Sequence, residues 1–94
     1  SDADGWGTWD GEIRVLYRTG HTAEELDRLW TPYVGFLERL GYAPRSRPKT
    51  RENHGRTQRF RGDAGKGALE VWWNETDGAW NVRIDVDREW FRRL

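Results

Sequence analysis

The sequence predicts an α+β fold in which one helix packs on a four-stranded, mainly antiparallel sheet. Two observations indicate this fold. An Asp-Gly pair at residues 77–78 lies between two segments of alternating apolar and polar residues, and residues 22–40 carry apolar side chains at the 3.6-residue period of a helix. At 94 residues the chain is long enough for one core and too short for two. We therefore interpret residues 1–94 as a single domain with the element order β-α-β-β-β.

The Asp77-Gly78 pair also predicts how the last two strands align. A two-residue loop of this kind needs positive φ at both positions, which Asp and Gly tolerate. The resulting register gathers apolar side chains on one face, which we expect to be the core face, and places Trp72 opposite Arg83 on the other. The apolar pairs are Trp73 with Val82, Val71 with Ile84, and Leu69 with Val86.

A strand over residues 57–61 is expected to precede this hairpin and to complete a three-stranded meander. In the hairpin register Glu70 lies opposite Asp85, and this like-charge pair is unfavourable unless a cation joins it. Pairing the preceding strand so that Arg59 lies beside Glu70 supplies that cation.

The two ends of the chain differ in their predicted secondary structure. Residues 12–18 alternate apolar and polar side chains and predict the first strand. Residues 1–10 are rich in Gly and Asp, so we interpret them as an irregular N-terminal segment that carries Trp6 and Trp9. At the other end, residues 87–94 allow a short C-terminal helix.

The predicted helix has signals at both termini. Thr22 and Glu25 match a capping box, and Gly41 followed by the apolar Tyr42 is typical of a helix end. Pro32 removes one amide donor, so the helix either kinks there or splits into two. The stripe that should cover the sheet comprises Leu26, Leu29, Trp30, Tyr33, Leu37 and Leu40.

The amino-acid composition excludes several kinds of site and of segment. The chain has no cysteine, which excludes disulfides, thiolate metal sites and cysteine nucleophiles. No apolar run approaches the roughly 18 residues that a membrane-spanning helix needs. Because the chain also lacks methionine, we expect its coding sequence to include a segment before Ser1.

The sequence gives little support for catalysis. His21 and His54 have no partner at the spacing of a metal site or a nucleophile and base pair, so we interpret them as isolated surface residues. The serines, Ser1 and Ser46, lie in segments expected to be irregular, which disfavours a serine triad. We therefore predict a protein that is not an enzyme and that uses no cofactor and no metal.

Residues 43–56 predict a long basic loop, because they lack apolar periodicity and include two prolines. The net charge of the chain is zero, yet residues 45–61 carry seven cations and only one acid, Glu52. Such a segment can bind phosphate groups, although nucleic-acid-binding surfaces usually include aromatic residues and none lies between Tyr42 and Phe60. The candidate anion-binding residues are Arg45, Arg47, Lys49, Arg51 and Arg56.

Tryptophan content favours a protein-binding surface. The chain has seven tryptophans, and tryptophan and arginine are enriched among the residues that dominate protein interfaces. The candidate partner-binding residues are Trp72, Arg83, Arg59, Trp6 and Trp9. In an alternative arrangement, Trp6 and Trp9 lie over Trp72 and cover this face within the chain.

The element order, the helix end at residues 40–42 and the strand motif LEVWW at residues 69–73 resemble the small exported or lipoprotein-type domains of high-GC Gram-positive bacteria. This resemblance implies a location outside the cytoplasm, with anchoring through an upstream segment, and it implies no activity. Without such a segment the protein would be cytoplasmic. We therefore predict a binding domain that contacts a protein or a cell-envelope component. The alternative is a nucleic-acid or phosphate-binding module that uses the cations of residues 45–61.

Overall fold

The computed structural model describes residues 3–9, 11–63 and 65–86. In these ranges seven antiparallel strands form one sheet, and one α-helix packs on one of its faces, which confirms the predicted α+β fold. The elements are β1 (Gly5–Trp9), β2 (Glu12–Tyr17), α1 (Ala23–Arg39), β3 (Ala43–Pro44), β4 (Lys49–Thr50), β5 (Arg56–Gly62), β6 (Gly65–Asn74) and β7 (Ala79–Asp85). Across the sheet the order is β1-β2-β7-β6-β5-β3, and β4 also pairs with β5.

The described sheet has three more strands than the four predicted. The N-terminal segment predicted to be irregular contains β1, which pairs along its whole length with β2. The predicted basic loop contains β3 and β4, which both pair with β5, and a short 3-10 helix, Glu52–His54. Propensity arguments miss β1 and β3 because Gly5, Gly7 and Pro44 are residue types that are rare in strands.

The predicted register of the last hairpin is wrong by two residues. Trp73 lies opposite Trp80, and Trp72 lies opposite Asn81 rather than Arg83. Because side chains alternate along a strand, a shift of two residues leaves each of them on its predicted face. The core face was therefore identified correctly although its pairs were not.

Asn74 explains the longer hairpin loop, which spans residues 75–78. The side-chain oxygen of Asn74 accepts hydrogen bonds from the amides of Thr76 at 2.9 Å and Asp77 at 3.2 Å. This Asx turn starts the reversal two residues before the Asp-Gly pair. Gly78 then adopts a left-handed φ of 60° and leads into β7.

The β5–β6 register is also shifted by two residues from the prediction. Phe60 lies opposite Gly67, and Arg59 lies opposite Ala68 rather than beside Glu70. The prediction that Arg59 offsets the charge of Glu70 is therefore wrong. Glu70 lies opposite Arg83 in β7, so its charge is balanced from the other side.

Tyr42 accounts for the glycines of this hairpin. Its ring is buried against Gly62 and Gly67, where an added Cβ atom would lie 3.1 and 3.2 Å from the ring carbons. Both contacts are tighter than ordinary van der Waals packing, so the ring would have to move by a few tenths of an ångström to accept a side chain at either position. The aromatic ring thus packs closely where β5 pairs with β6.

The helix α1 is continuous and contains Pro32. Thr22 caps it as predicted, because its hydroxyl accepts a hydrogen bond from the amide three residues later at 3.1 Å. At the other end Gly41 has a φ of 90°, and the amide of Tyr42 donates to the carbonyl of Leu37 at 2.9 Å. This is the hydrogen-bonding pattern of a Schellman motif.

The core lies between α1 and one face of the sheet. Trp80 is fully buried, and its indole N–H donates to the carbonyl of Gly20 at 2.9 Å, which joins the start of the helix region to β7. The other core residues are Tyr17, Leu26, Leu29, Trp30, Leu37, Tyr42, Phe60, Leu69, Val71, Val82, Ile84 and Val86.

Among the residues that the structure describes, no helix has the length and apolar character needed to cross a membrane. The predicted C-terminal helix, residues 87–94, lies outside the described residues.

Candidate functional site

The face of the sheet turned away from α1 carries polar and charged side chains, and we name it the open face. Alternate residues of each strand lie on it, and the strand register sorts them into rows. One row comprises Thr57, Glu70, Arg83 and Arg14, and the next comprises Trp72, Asn81 and Leu16. Most of these side chains are half-buried by their neighbours.

Trp72 lies on the open face between two arginines. The guanidinium carbons of Arg14 and Arg83 lie 5.8 and 5.9 Å from the centroid of its indole ring, which is cation–π distance. Trp72 and Arg83 are therefore in contact, as diagonal neighbours rather than as the opposed pair that was predicted. Sequence reasoning missed Arg14, because its contact depends on the pairing of β2 with β7.

Carboxylates hold these arginines in place. Glu70 forms ion pairs with Arg83, 3.1 Å away, and with Arg51, 2.5 Å away, and Arg83 also lies 3.3 Å from Asp85. Arg14 forms an ion pair within β2. Burial raises the pKa of the Asp85 carboxyl above its ordinary value, although Arg83 opposes the effect. The surroundings of Trp72 thus contain both signs of charge in close pairs.

The other three predicted partner-binding residues belong to other strands than Trp72. Arg59 is exposed on β5, and its neighbour on β6 is Ala68. Trp6 and Trp9 belong to β1, the strand at one edge of the sheet, whereas Trp72 is in β6. The backbone of β1 extends the sheet instead of crossing its open face. The side chains of the two β1 tryptophans lie outside what the structure describes, so their part in binding stays a prediction.

The five candidate anion-binding residues do not form a single patch. Arg56 faces the helix, where it lies 2.7 Å from Asp27 and 5.3 Å from the centroid of the Trp30 ring. Arg51 is engaged with Glu70. No carboxylate in the described ranges lies within ion-pairing distance of the other three candidates, Arg45, Arg47 and Lys49.

An open cleft of about 670 Å³ lies where β5 turns into β6, and we name it the basic cleft. Four cationic side chains line it: Arg45, Arg59, Arg61 and Lys66. None of the four forms an ion pair with a described carboxylate, and Asp85 is the acidic residue of the lining. Arg61 belongs to the predicted basic segment of residues 45–61, whereas Lys66 lies outside it and is added by the β5–β6 register, which places the two opposite each other.

The two histidines are neighbours, so the prediction that they stand alone is wrong. Their ring centroids are 6.0 Å apart, because the 3-10 helix brings His54 back toward the start of α1. His21 stacks on Trp73 with centroids 4.5 Å apart and meets Trp80 edge-on at 5.3 Å. Both histidines are exposed, as predicted.

Within the described ranges, no group of three or more His, Cys, Asp or Glu side chains is placed to hold a metal ion. Comparison with known proteins gives no match to a family model, to a curated protein or to a solved structure. The surroundings of Trp72 and the basic cleft are therefore the two candidate sites among the described residues.

Proposed function

We propose that this protein is a non-catalytic binding domain that contacts a protein or a cell-envelope component through the open face. The observation that supports this proposal is the half-buried indole of Trp72 between Arg14 and Arg83. Tryptophan and arginine together provide a large apolar contact area with charge at its edge. Residues of this kind dominate the binding energy of protein interfaces.

Because the charges on the open face are paired with one another, we expect its partner to be a protein rather than a polyanion such as a nucleic acid. Binding to nucleic acid draws on cations that can replace the counterions of phosphates. Here Arg83 is paired with Glu70 and Asp85, so its charge is already balanced. A surface that holds both signs of charge around an aromatic centre is complementary to a partner surface that also carries both.

The ion pairs also reduce the entropy lost on binding. A long arginine side chain that is ordered only in the complex costs about 0.5–1.5 kcal/mol of affinity. Arg83 is held by two carboxylates and the face of Trp72 in the unbound protein. Its geometry is therefore set before the partner arrives. A location outside the cytoplasm is part of this proposal, and its support is the sequence resemblance alone.

Affinity capture with the full chain tests the open face. The immobilised protein is incubated with cell-envelope and cytosolic extracts at low and at high salt, beside the Trp72→Ala variant. We expect the wild type to retain one partner at both salt concentrations and Trp72→Ala to lose about 30-fold in affinity, the equivalent of roughly 2 kcal/mol. Arg39→Gln is the matched control, because Arg39 is exposed at the end of α1.

The stability of Trp72→Ala separates binding from folding. Cation–π contacts at partly exposed positions contribute about 0.5–1 kcal/mol each, so we expect only a small loss of unfolding free energy. Equal capture of the partner by Trp72→Ala would contradict the proposal. A loss of stability as large as that of a core variant would also contradict it, because Trp72 would then be a residue of the fold.

A further inference from the structure

The four cations of the basic cleft are brought together by three strands. Arg61 lies opposite Lys66 across the β5–β6 pair, and Arg59 lies opposite Ala68 one row away. The amide of Arg45 donates to the carbonyl of Arg59 at 2.8 Å, which fixes the segment after β3 beside β5. These backbone contacts hold the positive charges near one another, and the charges repel.

The lining of the cleft leaves room for a ligand. Ala68 lies between Arg59 and Asp85 in its row, and its small side chain leaves a depression between them. Gly65 and Gly67 also line the cleft and expose backbone. The volume of about 670 Å³ lies within the range of about 300–1,000 Å³ that is typical of small-molecule sites.

We propose that the basic cleft binds a compact ligand that carries a doubly charged phosphate group, such as a phosphomonoester or pyrophosphate. Guanidinium groups donate paired hydrogen bonds to phosphate oxygens, and Arg45, Arg59 and Arg61 supply three such groups. In the described lining, four cations outnumber the one carboxylate, Asp85, which also lies 3.3 Å from Arg83. A dianion relieves the repulsion among the cations better than a single carboxylate would.

The lining favours a compact phosphate over a nucleic acid. Proteins that bind single strands stack the bases on exposed aromatic rings. Among the described residues that line the cleft, the aromatic one is Phe60, which is fully buried in the core. Trp72 lies four residues from Ala68 along β6, roughly 13 Å at the usual rise of a strand. The phosphate site therefore lies at another place on the sheet than Trp72, which does not line the cleft, and the two sites can be tested separately.

Titration of the full chain with inorganic pyrophosphate, and in parallel with glycerol phosphate, tests the proposal at low ionic strength. We expect saturable heat release and shifts of the backbone amide signals of residues 59–68 in NMR spectra. The double variant Arg59→Gln, Arg61→Gln should weaken binding about tenfold or more, because it removes two charge-assisted contacts. Asp85→Asn should tighten binding, because it removes the negative charge from the lining. Arg39→Gln is the control and should change affinity less than about twofold.

Several outcomes would overturn the proposal. The proposal fails if neither pyrophosphate nor glycerol phosphate binds saturably. It also fails if Arg39→Gln loses as much affinity as the double variant. Tighter binding of a single-stranded oligonucleotide, with a steep dependence on salt, would replace the phosphate site with a nucleic-acid surface. If the double variant fails to fold, Lys66→Gln tests the same cleft at an exposed residue. Because Trp72 takes no part in these measurements, failure here leaves the proposed open-face function standing.

Discussion

The two faces of the sheet differ in how their side chains are held. On the helix side, Leu69 and Val82 are fully buried in an apolar core. On the open face, their chain neighbours Glu70 and Arg83 are half-buried and held by ion pairs. Burying a large apolar side chain contributes about 1.5–3 kcal/mol, whereas a partly exposed ion pair contributes about 1 kcal/mol or less. The helix side of the sheet therefore supplies most of the free energy of folding. Residues of the open face can change with little effect on that free energy.

A matched pair of leucine substitutions tests this difference most directly. We expect Leu69→Ala to lower the free energy of unfolding by about 2–5 kcal/mol, because the side chain is fully buried and would leave a cavity. Leu16→Ala, on the open face of β2, should cost less than about 1 kcal/mol, since part of that side chain is already exposed. Denaturant unfolding measures both. Equal losses would mean that the open face is packed as tightly as the core.

Gly55 is the exception to the tolerance that we expect of the open face, because it packs against the backbone of β6 beside Trp72. A Cβ atom at this position would lie 2.6 Å from the carbonyl oxygen of Val71 and 3.2 Å from the Cα of Trp72, both backbone atoms. We expect Gly55→Ala to destabilise the protein by about 1–3 kcal/mol, because the backbone must move to accept the methyl group.

The control for Gly55→Ala is Gly7→Ala, since an added Cβ at Gly7 in β1 would meet no atom of the described residues within 4 Å. Its free energy of unfolding should change by no more than about 0.5 kcal/mol. A mild effect of Gly55→Ala in the same denaturation experiments would show that the 3-10 helix can shift away from β6.

The smallest expected effect concerns the pH dependence contributed by Asp85. Burial raises the pKa of this carboxyl above its ordinary value of 3.8, so the folded protein holds the proton more tightly than the unfolded chain does. The stability that this group contributes is therefore greatest at acid pH, and it decreases as the pH rises from 3.8 through the raised pKa.

Asp85→Asn removes this contribution. Relative to the wild type, the variant should become more stable as the pH rises through that window, by less than about 1 kcal/mol because the side chain is partly exposed. Unfolding measured at a series of pH values gives the difference between the two proteins. A difference that changes in the opposite direction would indicate that the ion pair with Arg83 outweighs the burial of the carboxylate.

The fold class, the helix with both of its ends, and the face of each strand in the β6–β7 hairpin could be predicted because these features depend on residues close together in the chain. The registers could not, because each depends on one further contact. Asn74 forms the Asx turn of the hairpin loop, and the ring of Tyr42 packs where Gly67 lies opposite Phe60. A shift of two residues leaves the alternation of apolar and polar side chains unchanged. That pattern therefore cannot reveal an error of two residues in the strand register.

The candidate sites were harder to predict, because charge runs in the sequence do not show where each cation goes. The basic loop contributes Arg56 to the helix side, Arg51 to the open face and Arg45 to the basic cleft. Arg14 reaches Trp72 only because β2 pairs with β7. The approach of His54 to His21 depends likewise on the path of the chain after β4.

The place of β7 in the middle of the sheet has a consequence for folding. This strand lies between β2 and β6. The indole N–H of its Trp80 donates a hydrogen bond to the carbonyl of Gly20, 60 residues earlier in the chain. Contacts across such a distance form slowly, since the intervening chain must first lose conformational entropy. Until β7 is available, β2 has no partner on that side and its apolar side chains stay exposed. We therefore expect the sheet to close only when β7, up to residue 85, can pair with both β2 and β6.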